Sequence, residues 1–132
     1  MDLDEVEIRV DSEHSLLRLA SIGCEIRAQI AQRQLMRGAF AEAGVSIEKY
    51  LRKNCETTLN ALHDYALVYA QITGECALAQ EAGRAVEEIG EKTIEDLFEI
   101  VEDIAEKLSE SARAAYVRMV EEDYEAVKEV RK

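Results

Sequence analysis

Apolar residues recur every three or four positions through most of this 132-residue chain, the pattern of helices that each bury one face. The clearest run is residues 46–73, SIEKYLRKNCETTLNALHDYALVYAQIT. Ser46 is a suitable N-cap and Gly74 a suitable stop. Between them Ile47, Leu51, Cys55, Leu59, Leu62, Ala66, Tyr69 and Ile72 fall on one side of a helix. From Leu62 onward, Tyr65, Leu67, Val68 and Ala70 widen that stripe until it nearly surrounds the helix. A helix apolar on most sides belongs between others, so this segment is expected at the centre of a bundle.

A first long helix is expected before it, capped by Asp11 or Ser12. Its buried face is Leu16, Leu19, Gly23, Ile26, Ile30 and Phe40, with Leu17, Ala20 and Ile22 alongside. Gly23 in mid-helix costs about 1 kcal/mol relative to alanine, which a close approach of another helix would explain. Gly44 is the natural position just past this helix, and the short link to Ser46 predicts antiparallel packing of the two. A shorter helix follows from Glu75 to Ile89, using Cys76, Leu78, Ala79, Ala82, Val86 and Ile89. Gly90 then makes a turn, and Thr93 caps the last helix with Asp96 at its N3 position.

That last helix, Ile94 to Val130, carries a nearly heptad-spaced seam of Ile94, Leu97, Val101, Ile104, Leu108, Ala115 and Met119. It would be roughly 55 Å long, whereas a compact domain of this size is only about 36 Å across. Either it breaks near Ser109-Glu110-Ser111 or its end projects. A projecting end bearing Tyr116, Met119, Val120, Tyr124 and Val127 would need another chain to cover it, which favours a homo-oligomer and first of all a dimer. At the other terminus Val6, Ile8 and Val10 alternate with Glu7 and Arg9. That period-two pattern predicts an extended arm over residues 1–11, free or paired with its counterpart in a second copy. The expected fold is all-α: a four-helix bundle with short antiparallel connections, a long C-terminal helix and an extended N-terminal arm. Residues 12–132 form one domain.

Composition agrees with this picture and adds a charge pattern. With 48% hydrophobic and 33% charged residues and no proline, the chain has the composition of a folded helical protein. Its net charge of −12 is uneven. Residues 12–45 hold three acids and four arginines, whereas residues 74–132 hold seventeen acids and eight bases. Such a chain is a poor direct ligand for nucleic acid or an anionic membrane; a basic protein partner is electrostatically possible, and solubility alone also explains the charge. No apolar run reaches the roughly 18 residues of a membrane span, and MDLDEVEIRV lacks an apolar signal core. Cys24, Cys55 and Cys76 form no CxxC motif. All three are expected to be buried free thiols in a reducing cytoplasm.

Candidate chemistry is thin. His63 has Leu59, Asn60, Ala66 and Leu67 at helical spacing, so it is expected in the core with Asn60 as its hydrogen-bond partner. Carboxylate-bridged metal sites in bundles use Glu-x-x-His, and that motif occurs nowhere in the chain. Cys24 and Cys55 lack a nearby histidine, and a buried thiol is inert. No catalytic, cofactor-binding or metal-binding residue is therefore assigned. The expectation is a non-enzymatic, self-associating scaffold or adaptor working through its C-terminal helix. Two other readings stand beside it: an acidic regulator that occludes a partner's basic, nucleic-acid-binding surface, and a small-ligand bundle using His63, Tyr65 and Tyr69.

Overall fold

Two glycines and one interrupted turn set most element boundaries in this computed structural model, which describes residues 3–130. Helix α1 spans Leu3–Ala20, α2 Ile22–Glu42, α3 Glu48–Thr73, α4 Ala77–Glu87 and α5 Ile94–Val130, with a 3-10 turn at Ile89–Glu91. Gly44 (φ 77°) and Gly74 (φ 78°) adopt left-handed backbone just past α2 and α3, where a side chain would be strained. At Gly44 the Val45 N–H donates to the Phe40 carbonyl (2.8 Å) and the Gly44 N–H to that of Ala41 (3.0 Å). Two carbonyls at the helix end are satisfied in this way. Thr93 opens α5 as expected, its Oγ1 accepting the Asp96 N–H at 3.1 Å.

Three boundaries differ from the sequence reading. The chain is helical from Leu3, so the extended arm expected over residues 1–11 is replaced by helix, and Asp11 and Ser12 lie inside α1. Leu3, Val6 and Val10 are also spaced by three and four, and three alternating residues without a partner strand have no ladder to join. Residues 1–2 lie outside the described residues. Secondly, Ile47 and not Ser46 takes the N-cap place of α3, with no side-chain cap bond. Thirdly, the α4 segment is shorter than Glu75–Ile89, its C-terminal end tightening into the 3-10 turn.

The first expected helix is two, because the hydrogen-bond ladder is interrupted at Ser21. Ser109 of α5 stands in the gap. Its Oγ accepts the Gly23 N–H at 2.6 Å and donates to the Leu19 carbonyl at 3.2 Å. Those two backbone groups would otherwise bond each other across one α-turn, so the hydroxyl is a wedge inserted into the ladder. Gly23 permits it. A Cβ there would lie 2.9 Å from Ser109 Oγ and 3.2 Å from Ser109 Cβ. The close approach expected from this glycine is present, and its partner is the serine where a break in α5 was considered. Instead α5 runs unbroken from Ile94 to Val130, and the strain of meeting falls on α1–α2.

Helix α5 is the hub: α1, α2, α3 and α4 all pack against it. The central place expected for α3 is not observed, because its widened stripe is partly outside, with Tyr65, Leu67 and Val68 all exposed. Its single-face stripe does bury, through Leu51, Cys55, Leu59, Leu62, Ala66 and Tyr69. The Gly23–Ser109 contact, the Arg27–Glu106 ion pair (3.3 Å) and the Arg37–Glu95 ion pair (2.6 Å) set α1–α2 antiparallel to α5. Arg37–Glu48 and Arg33–Thr58 set α3 antiparallel to α2. The α1–α2 rod with α3, α4 and α5 makes the four-membered all-α bundle.

Past Ile30 the rod is held differently. No residue from 31 to 46 is buried; Phe40, expected on the buried face, is exposed. The positions that face the bundle there are Arg33 and Arg37. Arg33 Nη2 donates to Thr58 Oγ1 (3.2 Å). Arg37 bridges Glu48 through Nε and Glu95 through Nη1, both at 2.6 Å. The two carboxylates, Glu95 first, raise Arg37 above its ordinary pKa. A backbone amide and then Arg37 hold Glu95 below the usual carboxylate range. A carboxylate whose pKa falls on folding stabilises above its unfolded pKa and loses that contribution as pH falls through the folded one.

Two outcomes are expected. Ser109→Ala leaves two buried backbone groups unpaired and should cost about 1–3 kcal/mol in urea unfolding. Gly23→Ala should also destabilise, because the crowding at Ser109 exceeds the ~1 kcal/mol of helix propensity gained. The two effects should be non-additive by at least about 0.5 kcal/mol; strict additivity would mean the hydroxyl is not the wedge. Separately, amide exchange in residues 31–45, taken relative to the unstructured-chain rate at each pH, should quicken as pH drops below the ordinary carboxylate range. In Arg37→Gln it should be fast already and lose that pH dependence.

Candidate interaction surfaces

Candidate chemistry is scattered when the chain folds. Tyr69 is 2% exposed and its hydroxyl donates to Glu75 Oε2 at 2.6 Å. Burial first, and then this carboxylate, raise the phenol above its ordinary pKa. Tyr65, one turn earlier, lies on the outside. His63 is half-buried and not in the core. It stands beside Gly83 of α4, Nε2 3.5 Å from where a Cβ would be. Asn60, its expected partner, donates to the Glu56 carbonyl. An open groove of about 640 Å³ between α3 and α4 includes His63, Leu67, Cys76, Gly83 and Arg84 but neither tyrosine. The three residues of the ligand reading are therefore not brought together.

The cysteines also divide. Cys55 is buried, and burial pushes its thiol up despite Arg33 and Arg52 nearby, which pull the other way. An inert thiol follows. Cys24 and Cys76 are exposed, contrary to the expectation that all three are buried. Cys24 lies on the outward side of α2 and Cys76 at the N-cap of α4, placements that nearby apolar residues in sequence do not reveal. Among the described residues no three His, Cys, Asp or Glu side chains cluster as metal ligands would. Nor is any helix among them long and apolar enough to cross a membrane.

What the fold does present is surface. Beyond Ala115 no described residue of α5 is buried. Of the five residues expected to form an interface, Tyr116 and Met119 pack partly against the core. Val120, Tyr124 and Val127 are exposed, joined by Val117, which the sequence reading passed over. Val117, Val120, Tyr124 and Val127 are spaced three, four and three, one stripe of a helix. Beside it Arg118, Glu121, Glu122, Glu125 and Glu129 line a shallow depression. Residues 117–130 hold five acids and two bases, so the stripe is apolar with an acidic border.

The α1–α2 rod presents the opposite character. Leu17, Ser21, Cys24, Ala28, Ala31, Leu35 and Gly38 repeat at steps of four and three, and every one of them except Ser21 and Gly38 is apolar. All are exposed. They lie on the side of the rod away from its core residues Leu16, Leu19, Ile26 and Ile30. The signal was available in the sequence as a second heptad-spaced stripe, overlooked because only one apolar face per helix was sought. Compared with protein families, curated proteins and solved structures, the chain matches none.

Proposed function

We propose that this chain works by association and not by catalysis, as a self-associating scaffold or adaptor whose C-terminal helix engages another chain. One observation carries the reading: α5 continues for about four turns past its last buried residue, Ala115, with Val117, Val120, Tyr124 and Val127 open to solvent. Ordering so long a helix end without burying its apolar stripe leaves favourable burial unrealised, about 25 cal/mol for each Å² of apolar surface. A docked helix would realise it.

The acidic border says which occupant suits this stripe. Five acids against two bases over residues 117–130 favour an amphipathic segment with basic flanks, and oppose a second α5 of like charge. This gives substance to the alternative of an acidic protein that covers a basic surface on its partner. Both roles use the same residues.

A synthetic amphipathic helix with leucines on one face and lysines flanking them should bind the full chain, and bind it more weakly as salt rises. The double substitution Val120→Glu with Val127→Glu should weaken that binding at least about tenfold, equivalent to about 1.4 kcal/mol, with the circular dichroism unchanged. Equal binding by the wild type and the double variant would remove α5 as the docking surface.

A further inference from the structure

We infer that the self-association lies elsewhere than α5: a second copy of the chain packs antiparallel on the outward stripe of the α1–α2 rod. This rests on the reading of the chain as a self-associating protein, and it assigns that association its own surface. The outermost positions of a bundle helix are normally its most charged. From Leu17 to Ala39 they are Leu17, Ser21, Cys24, Ala28, Ala31, Leu35, Gly38 and Ala39, with no charge among them before Glu42 ends the stripe, in a chain that is 33% charged. No acid occurs anywhere between Glu25 and Glu42. Two arginines of that interval are ion-paired, Arg27 with Glu106 and Arg37 with Glu48 and Glu95, and Arg33 turns inward to Thr58 with its Nη1 buried and unpaired. Leu35 is 76% exposed and Leu17 49%, and a Cβ on Gly38 would meet nothing within 4 Å.

The stripe is complementary to itself in one orientation. Antiparallel heptad seams pair an a position with a d position of the other helix. About a two-fold axis between residues 29 and 30, Ala28 of one copy meets Ala31 of the other, and Cys24 meets Leu35. Ser21 meets Gly38. Leu35 faces the smaller Cys24 and the other two pairs are small on small, which allows close packing. The same pairing sets Leu17 against Glu42 at each end, where the uncharged seam stops, and Arg18, the next residue and exposed, is the cation beside that exposed carboxylate. A parallel pairing would set Leu35 on Leu35, Arg18 beside Arg18 and Glu42 beside Glu42, and is disfavoured. An uncharged contact also lets two copies with a net charge of −12 each approach without like charges facing at the seam.

Residues 17–42 are about 39 Å of helix about 10 Å wide. That footprint, about 390 Å² per copy, is below the range of stable interfaces, so dimerisation should be weak and concentration-dependent.

Sedimentation velocity on the full chain from about 1 to about 100 µM tests it. Wild type should pass from monomer to dimer, and Leu35→Glu and Ala28→Glu should each shift the transition at least tenfold upward with helicity intact. Both sites are exposed, so one variant stands in if the other fails to fold. Arg18→Glu should weaken the dimer, and combining it with Glu42→Arg should restore it, a rescue that a parallel or unrelated contact would not show. Val120→Glu with Val127→Glu should leave the dimer as in wild type. A wild type that stays monomeric throughout, or dimers unaffected by either stripe variant, overturns the inference. Dissociation by the α5 double variant alone would move the homotypic contact to α5, overturning this assignment while leaving the association reading in place.

Discussion

The hydroxyl of Ser109, set between the Gly23 N–H and the Leu19 carbonyl, is the contact on which the arrangement of this bundle turns. It satisfies two backbone groups that a continuous helix would have paired with each other, and glycine at position 23 is what lets α5 come near enough. With the Arg27–Glu106 and Arg37–Glu95 pairs, it fixes α1–α2 along α5 in one register. Register decides which face looks outward, because a shift of one residue turns a helix by about 100°. The outward stripe from Leu17 to Ala39 is thus a consequence of an interaction on the opposite side of the same rod.

The bundle then divides its surface by charge. The acids of α4 and α5 leave the exposed C-terminal turns apolar along one line and negative beside it. The rod of α1 and α2 is apolar along its outermost line and nearly neutral. Two surfaces of different character suit different occupants: under the proposals above the uncharged stripe would take its own copy, and the acid-bordered stripe a basic helix in preference to another α5. A dimer joined through the rods would leave both α5 ends open.

Much of the fold was legible because helical periodicity reports burial directly. The buried faces of α2 and α3, the turn at Gly44 and the Thr93 cap follow from spacing and capping, whereas the continuity of α5 through Ser109–Ser111 was open between a break and a projecting end. The close approach at Gly23 was legible too, though not its partner, since nothing local to Ser109 says that its hydroxyl points into another helix. The misreadings share a cause. Val6, Ile8 and Val10 fit two periods at once, and three residues cannot decide between them. Tyr65, Leu67 and Val68 look buried only if exposed apolar residues are taken as rare, and they are not. Of the exposed stripes proposed as docking surfaces, Val120, Tyr124 and Val127 were expected from the mismatch between helix length and domain diameter. Leu17, Ala28 and Leu35 were not, because their stripe runs opposite an already sufficient core face.

The most direct measurement is native mass spectrometry of the chain purified gently from its own host, at tens of micromolar on the scale expected for a small interface. The account predicts a species at twice 14.9 kDa, bare or carrying basic protein. A bare monomer of 14.9 kDa as the sole species would contradict it.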